Sequence, residues 1–178
     1  MSSDGKAVVH AVLVSVFGRG VLITGRSGIG KSACALELIA GGHTLAADDV
    51  VELERRGNRL IGYAPAAQRG FLDIRGLGIC DVRGLFGDEA LVAEQAVDLS
   101  VEICDEPIGA CESLGVAGDR FELLGLFVPR VFFVADGTRS PRVFIETTVS
   151  YFSSGFQRAT EEFIKTHDQR VLPAAGNA

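Results

Sequence analysis

A chain of 178 residues, 47% hydrophobic and 22% charged, has the size and composition of one packed domain and not of a disordered segment. A formal net charge of -6 argues against a non-specific nucleic-acid binder, which needs a basic footprint, but leaves room for a local cationic patch that receives phosphate. With no Trp and one Met, the core must be built from Val, Leu, Ile, Ala and the 11 Phe.

Lys6 precedes an apolar stretch from Ala7 to Phe17 that His10 interrupts and Arg19 ends. No small-residue cleavage site follows, so it reads as a strand, Val8 to Val16, and not as a signal peptide. Phe17-Gly18-Arg19-Gly20 is a tight turn, and Val21-Leu22-Ile23-Thr24 a second, wholly apolar strand suited to a buried central position. A glycine-rich loop spans Gly25 to Gly30. The spacing of Ala35, Leu36, Leu38 and Ile39 predicts a helix from about Lys31 to the Gly41-Gly42 stop.

Thr44 to Ala47 is a short strand that ends in Asp48-Asp49. Val50 to Glu54 and Arg59 to Tyr63 flank Arg55-Arg56-Gly57-Asn58 as a hairpin. Phe71 to Val82 is a mixed apolar segment carrying Asp73, Arg75 and Asp81. Val92 to Ile103 reads as a strand, Asp105 to Asp119 as irregular and Arg130 to Val134 as a further strand. Phe144 to His167 has the spacing of a terminal amphipathic helix, with a frayed tail after about residue 170. No repeat or second domain is visible, so residues 1–178 are expected to form one α/β domain. Cys34, Cys80, Cys104 and Cys111 form no C-x-x-C pair and have no His at metal-ligand spacing. They fit free thiols of a reducing cytosol. No apolar run approaches transmembrane length, and the protein is expected to be cytoplasmic and free of membrane and nucleic acid.

Gly25-Arg26-Ser27-Gly28-Ile29-Gly30-Lys31-Ser32 matches the phosphate-binding pattern G-x-x-x-x-G-K-[ST] in full. Glycines let successive main-chain N–H groups turn inward on phosphate without a Cβ clash. The helix that follows presents its positive dipole end. Lys31 neutralises β- and γ-phosphate charge, and the Ser32 hydroxyl is a ligand for Mg²⁺. The expected cofactors are ATP and Mg²⁺. The motif alone leaves the reaction open, because many NTPases and kinases share it. Asp48-Asp49 sits where a carboxylate can meet the metal, and an adjacent pair allows one to organise the metal while the other accepts a proton from an attacking hydroxyl.

The run Val9-His10-Ala11-Val12-Leu13-Val14, the segment Gly20 to Ser32, His43-Thr44-Leu45-Ala46-Ala47-Asp48-Asp49-Val50-Val51, Leu60-Ile61-Gly62, Ala64-Pro65 and Leu72 to Ile79 follow one another in this order. Leu123-Leu124-Gly125 and Val128-Pro129 lie beyond them. Together they resemble the catalytic, C-terminal domain of the HPr kinase/phosphorylase family, in the short form without an N-terminal domain. The resemblance implies a single P-loop α/β domain of the phosphoenolpyruvate carboxykinase type, with a mixed sheet and a C-terminal helix, assembled as a hexamer. It implies a protein-serine kinase whose partner is HPr, a phosphocarrier of the sugar phosphotransferase system.

By the same resemblance, Asp49 is the base for phosphorylation and the acid for the reverse reaction. Lys31 holds the phosphates, Ser32 and Asp73 hold Mg²⁺, His10 lies at the active site, and Arg75 is near the transferring phosphate; from the acid pair itself, Asp48 is the candidate to organise the metal. Asp73 stands where the family has Glu. Ser113 stands where it has Arg, with Arg120 as a candidate substitute, and Val134 to Arg139 diverge as well. Phosphorolysis is therefore expected to be weak. Two alternatives remain open: the same scaffold acting on a small-molecule or peptide serine, and a nucleotide-binding sensor with little transfer.

Overall fold

The computed structural model describes residues 5–106 and 120–153. Cys111, Ser113 and the expected helical residues 154–167 lie outside these.

The apolar run near the N-terminus is two strands, not one: β1 (Lys6–His10) and β2 (Val12–Val16). They differ in environment. β1 alternates between exposed and half-buried residues and, among the described residues, pairs only with β5 (Val50–Arg56). β2 is buried and pairs with both β3 (Arg19–Thr24) and β4 (Thr44–Ala47). The chain changes partners at the fully buried Ala11. Apolar character continues through that change, so composition gives no sign of it.

α1 (Lys31–Ala40) follows the loop, and its end is closed by Gly41 and Gly42 N–H groups donating to Glu37 and Ile39 carbonyls. β5 and β6 (Arg59–Tyr63) form the expected hairpin, with β5 running on to Arg56. The mixed segment proves to be a separate two-stranded ribbon, β7 (Phe71–Ile74) with β8 (Gly78–Asp81), leading into a short helix α2 (Val82–Phe86). β9 (Gln95–Cys104) starts later than expected because the Val92 N–H is taken by the Leu45 carbonyl.

β10 (Arg120–Leu123) and β11 (Leu126–Val134) make a hairpin through Leu124-Gly125, both with positive φ. Pro129 removes one ladder N–H in β11, which hides the first half of that strand from a pattern reading. α3 (Pro141–Ser153) begins before the expected Phe144: Ser140 Oγ accepts the Val143 N–H and Pro141 occupies the first helical position, where its missing N–H is harmless.

Among the described residues the main sheet has nine strands, in the order β1-β5-β6-β9-β3-β2-β4, with β11 also on β9 and β10 on β11. The β3–β9 and β9–β11 pairs are parallel and the others antiparallel, so the sheet is mixed. Alternation sorts the strands between two cores. Val12, Val14, Val21 and Ile23 face Cys34, Ala35, Leu38, Ile145 and Val149 of the helices. Leu13 and Leu22 face Val51, Leu53, Leu60, Val97, Leu126 and Val128 on the other side. With both faces covered, β2 and β3 must be apolar throughout. Burial pushes the Cys34 thiol up to about 12. No helix among the described residues is long and apolar enough to cross a membrane.

Gly20 is where β3 shifts register against β9. A Cβ there would lie 1.8 Å from the Ala96 carbonyl oxygen. Gly20→Ala is expected to destabilise the fold by at least the usual overpacking cost of about 1–3 kcal/mol, since the obstacle is main chain and cannot rotate away. Urea titration measures this, and a midpoint equal to wild type would show that the strands part freely.

Candidate active site

The loop between β3 and α1 is shaped by glycine at three points. Gly25, Gly28 and Gly30 have φ of 135°, 78° and 105°, a region that side-chain-bearing residues rarely adopt. A Cβ on Gly25 would also lie 2.5 Å from the Ile103 carbonyl, so the loop is seated on the end of β9. Arg26 and Ser27 are exposed on the loop and Ile29 is half-buried, its N–H donating to the Arg26 carbonyl at 3.4 Å. No side chain caps α1 and no acid lies in its first turn. Its leading N–H groups are thus available to an anion.

Lys31, the first helical residue, is only 6% exposed, and its Nζ donates to the Gly25 and Arg26 carbonyls at 2.9 and 3.1 Å. Burial lowers its pKa, and the nearby Asp49 and Asp48 carboxylates oppose that. The residues therefore fit a polyphosphate: a glycine cradle, an uncapped helix and a buried ammonium.

Asp48 and Asp49 connect β4 to β5, and their environments are opposite. The Val50 N–H donates to the Asp48 carbonyl at 2.7 Å, closing a three-residue turn with Asp49 at its centre at φ 65°. Such a turn is strained, at about 1–3 kcal/mol, and strain of this kind gathers at functional sites. Asp48 is 4% exposed. Its Oδ1 accepts the Ser32 hydroxyl at 2.8 Å and its Oδ2 the Asp73 N–H at 3.0 Å. Burial raises its pKa, and those two hydrogen bonds with the Asp49 N–H oppose the rise. The Asp49 side chain is 57% exposed, with Oδ1 3.0 Å from His10 Nδ1, itself half-exposed. As a carboxylate Asp49 can only accept, so Nδ1 carries the proton in this pair. The other Asp49 oxygen is left for a second donor.

The β7–β8 ribbon brings the remaining candidates. Leu72, Ile74 and Cys80 anchor it in the helix-side core, while Asp73 and Arg75 stay exposed. Asp73 enters the site through its main-chain N–H to Asp48. Arg75 lies over the loop, its Nη2 3.4 Å from where a Gly28 Cβ would stand. Among the described residues no three His, Cys, Asp or Glu side chains form a metal-binding group. The Ser32 hydroxyl beside the Asp48 carboxylate suits Mg²⁺, which keeps several waters and takes one or two carboxylates with substrate phosphates. Sequence reasoning missed the partner of Arg26: its guanidinium is held by Asp105, 79 positions away, and no local pattern signals that pair.

A family model described as HPr Serine kinase C-terminal domain matches residues 4–167. The HPr kinase/phosphorylase of Nitrosomonas europaea is 38% identical over 174 residues, covering 94% of this chain and 53% of that protein. That of Alkaliphilus metalliredigens is 39% identical over 140 residues, covering 78% of this chain and 45% of that protein. The chain thus spans about half the length of the curated relatives it matches. The solved Hpr(Ser) kinase/phosphatase from Coxiella burnetii is similar with a TM-score of 0.74 and 34% identity, covering 85% of this chain and 99% of that one. The match to the model takes in the glycine cradle, the acid turn and the β7–β8 ribbon alike, and this chain belongs to the HPr serine kinase C-terminal domain family.

Proposed function

We propose that the chain is an ATP-dependent protein-serine kinase that phosphorylates HPr or an HPr-like phosphocarrier, with a phosphorolytic reverse reaction weakened by Ser113. The observation that carries the reading is the solvent-facing Asp49 carboxylate, held by His10 at 3.0 Å and close enough to oppose the lowering of the Lys31 pKa. A simple nucleotide sensor needs the cradle but has no use for a strained, exposed acid beside it.

In this reading Asp49 accepts the proton of the serine hydroxyl as that oxygen attacks the γ-phosphorus in line. Lys31, the leading N–H groups of α1 and Arg75 surround the phosphoryl oxygens. Ser32 and Asp48, with Asp73 alongside, would hold Mg²⁺, which when bound neutralises charge shared by the β- and γ-phosphates. His10 fixes the orientation of Asp49 and reserves one of its oxygens.

His10→Ala should therefore lower kcat by about 2- to 10-fold, the worth of one ordinary hydrogen bond, and leave the KM for ATP nearly unchanged. Steady-state kinetics over a range of ATP concentrations separates the two, and a selective rise in KM would place His10 on the nucleotide instead. The function itself is tested by incubating the protein with γ-labelled ATP, Mg²⁺ and purified HPr. Label on an HPr serine supports it. In a parallel incubation with cell lysate, label only on other proteins would give the scaffold a different acceptor, and bound nucleotide with no labelled acceptor in either would leave the sensor reading.

A further inference from the structure

Arg26 lies inside the phosphate loop, yet its side chain is committed elsewhere. Its Nε and Nη2 engage the two oxygens of Asp105, Nη2 at 2.9 Å from Oδ1. Asp105 directly follows β9, whose last residue Cys104 accepts the N–H of Ala135, the residue after β11, on its carbonyl at 2.8 Å. The clamp thus joins the loop to the end of a central strand. On its main-chain side, the Arg26 carbonyl accepts the Lys31 ammonium at 3.1 Å, alongside the Gly25 carbonyl at 2.9 Å. A lysine ammonium has three donors on a flexible stem. Two are held by these carbonyls, so the direction of the third depends on where the carbonyls point.

We infer that Arg26 is a positioning residue: its two-pronged pair with Asp105 fixes the carbonyls that aim Lys31, so Asp105 sets nucleotide affinity without touching nucleotide. The inference rests on the nucleotide-binding half of the proposed function and not on the acceptor. The Arg26 and Asp105 side chains are 64% and 51% exposed, and an ordinary pair so exposed contributes little and is screened by salt. The two-pronged geometry raises its worth, but the effect should still be modest and salt-sensitive. The guanidinium also holds the Asp105 carboxyl below the usual carboxylate range.

The test is equilibrium titration of the full chain with a fluorescent ATP analogue and Mg²⁺, for wild type, Arg26→Ala, Arg26→Lys, Asp105→Ala and the double alanine variant. Each single alanine variant should weaken binding by about 3- to 10-fold, and the double variant should be no worse than either. The differences should shrink at about 0.5 M salt. Turnover at saturating ATP should fall by at least as much as affinity, because a misdirected Lys31 also loses its hold on the transferring phosphoryl group. Arg26→Lys keeps the charge but not the fork, and should not restore affinity. Additive losses, a silent Asp105→Ala, or full rescue by Arg26→Lys would each overturn the inference; the last would make Arg26 a direct phosphate partner. A wild-type protein that binds the analogue but phosphorylates no protein would refute the acceptor reading and leave this test intact.

Discussion

Lys31→Ala is expected to abolish phosphoryl transfer and to weaken triphosphate binding. The side chain is buried to 6% exposure at the head of α1, where its charge is poorly screened. Losing one charge-assisted contact to phosphate costs about 1.5–3 kcal/mol, or roughly one to two powers of ten in affinity. Transfer should suffer more, on the order of 10²–10³-fold beyond binding, because charge moves across the phosphoryl group in the transition state. The variant should fold normally: burial already disfavours the ammonium, so its removal relieves a desolvation penalty. Thermal melting and single-turnover transfer on the same preparation separate the effects. Wild-type turnover at saturating ATP and Mg²⁺ would show that the loop does not do what its shape suggests.

Asp49→Asn should leave ATP binding within about twofold and reduce transfer by roughly 10²–10⁴-fold, the range for loss of a general base. Asparagine is the informative substitution. It tolerates the left-handed backbone at φ 65° and can still accept from His10 through its amide oxygen, so turn and neighbour both persist. What it lacks is a site for the proton. Alanine would confound the result by straining the turn further. If ATP affinity and transfer fell together, Asp49 would be serving the metal, and Asp48 would have to be reconsidered as the base.

The glycine cradle was legible from sequence because its chemistry is local. Eight consecutive residues carry the turn, the charge and the hydroxyl, and a strand and helix on either side confirm them. The acid pair was legible as a pair, but the opposite surroundings of its two carboxylates were not. A three-residue turn sends adjacent side chains to different places, one beneath the loop and one into solvent, and residue spacing cannot report that. Sequence points to the Asp73 carboxylate, while the structure gives its main-chain N–H a role that any residue but proline could supply. Arg26 with Asp105 and the change of partners at Ala11 escaped for a common reason. Each depends on which distant strand lies alongside, and only the closed sheet decides it.

The long strand β9 also dictates an order of events during synthesis. Its hydrogen-bonded neighbours come from residues 20–24, from 61–62 and from 130–134. A nascent chain that has emerged only through the phosphate loop and α1 holds β2 and β3 but not the strand that seats the loop. Even after β9 emerges, one of its edges waits for β11, and the helix-side core waits for Ile145 and Val149. Closing such distant pairs costs chain entropy before contacts reward it, so the domain should fold late and slowly for its size. Until then the apolar strands β2 and β3 stand uncovered on at least one face. The phosphate loop between β3 and α1, seated on the end of β9, should become competent only in the final step.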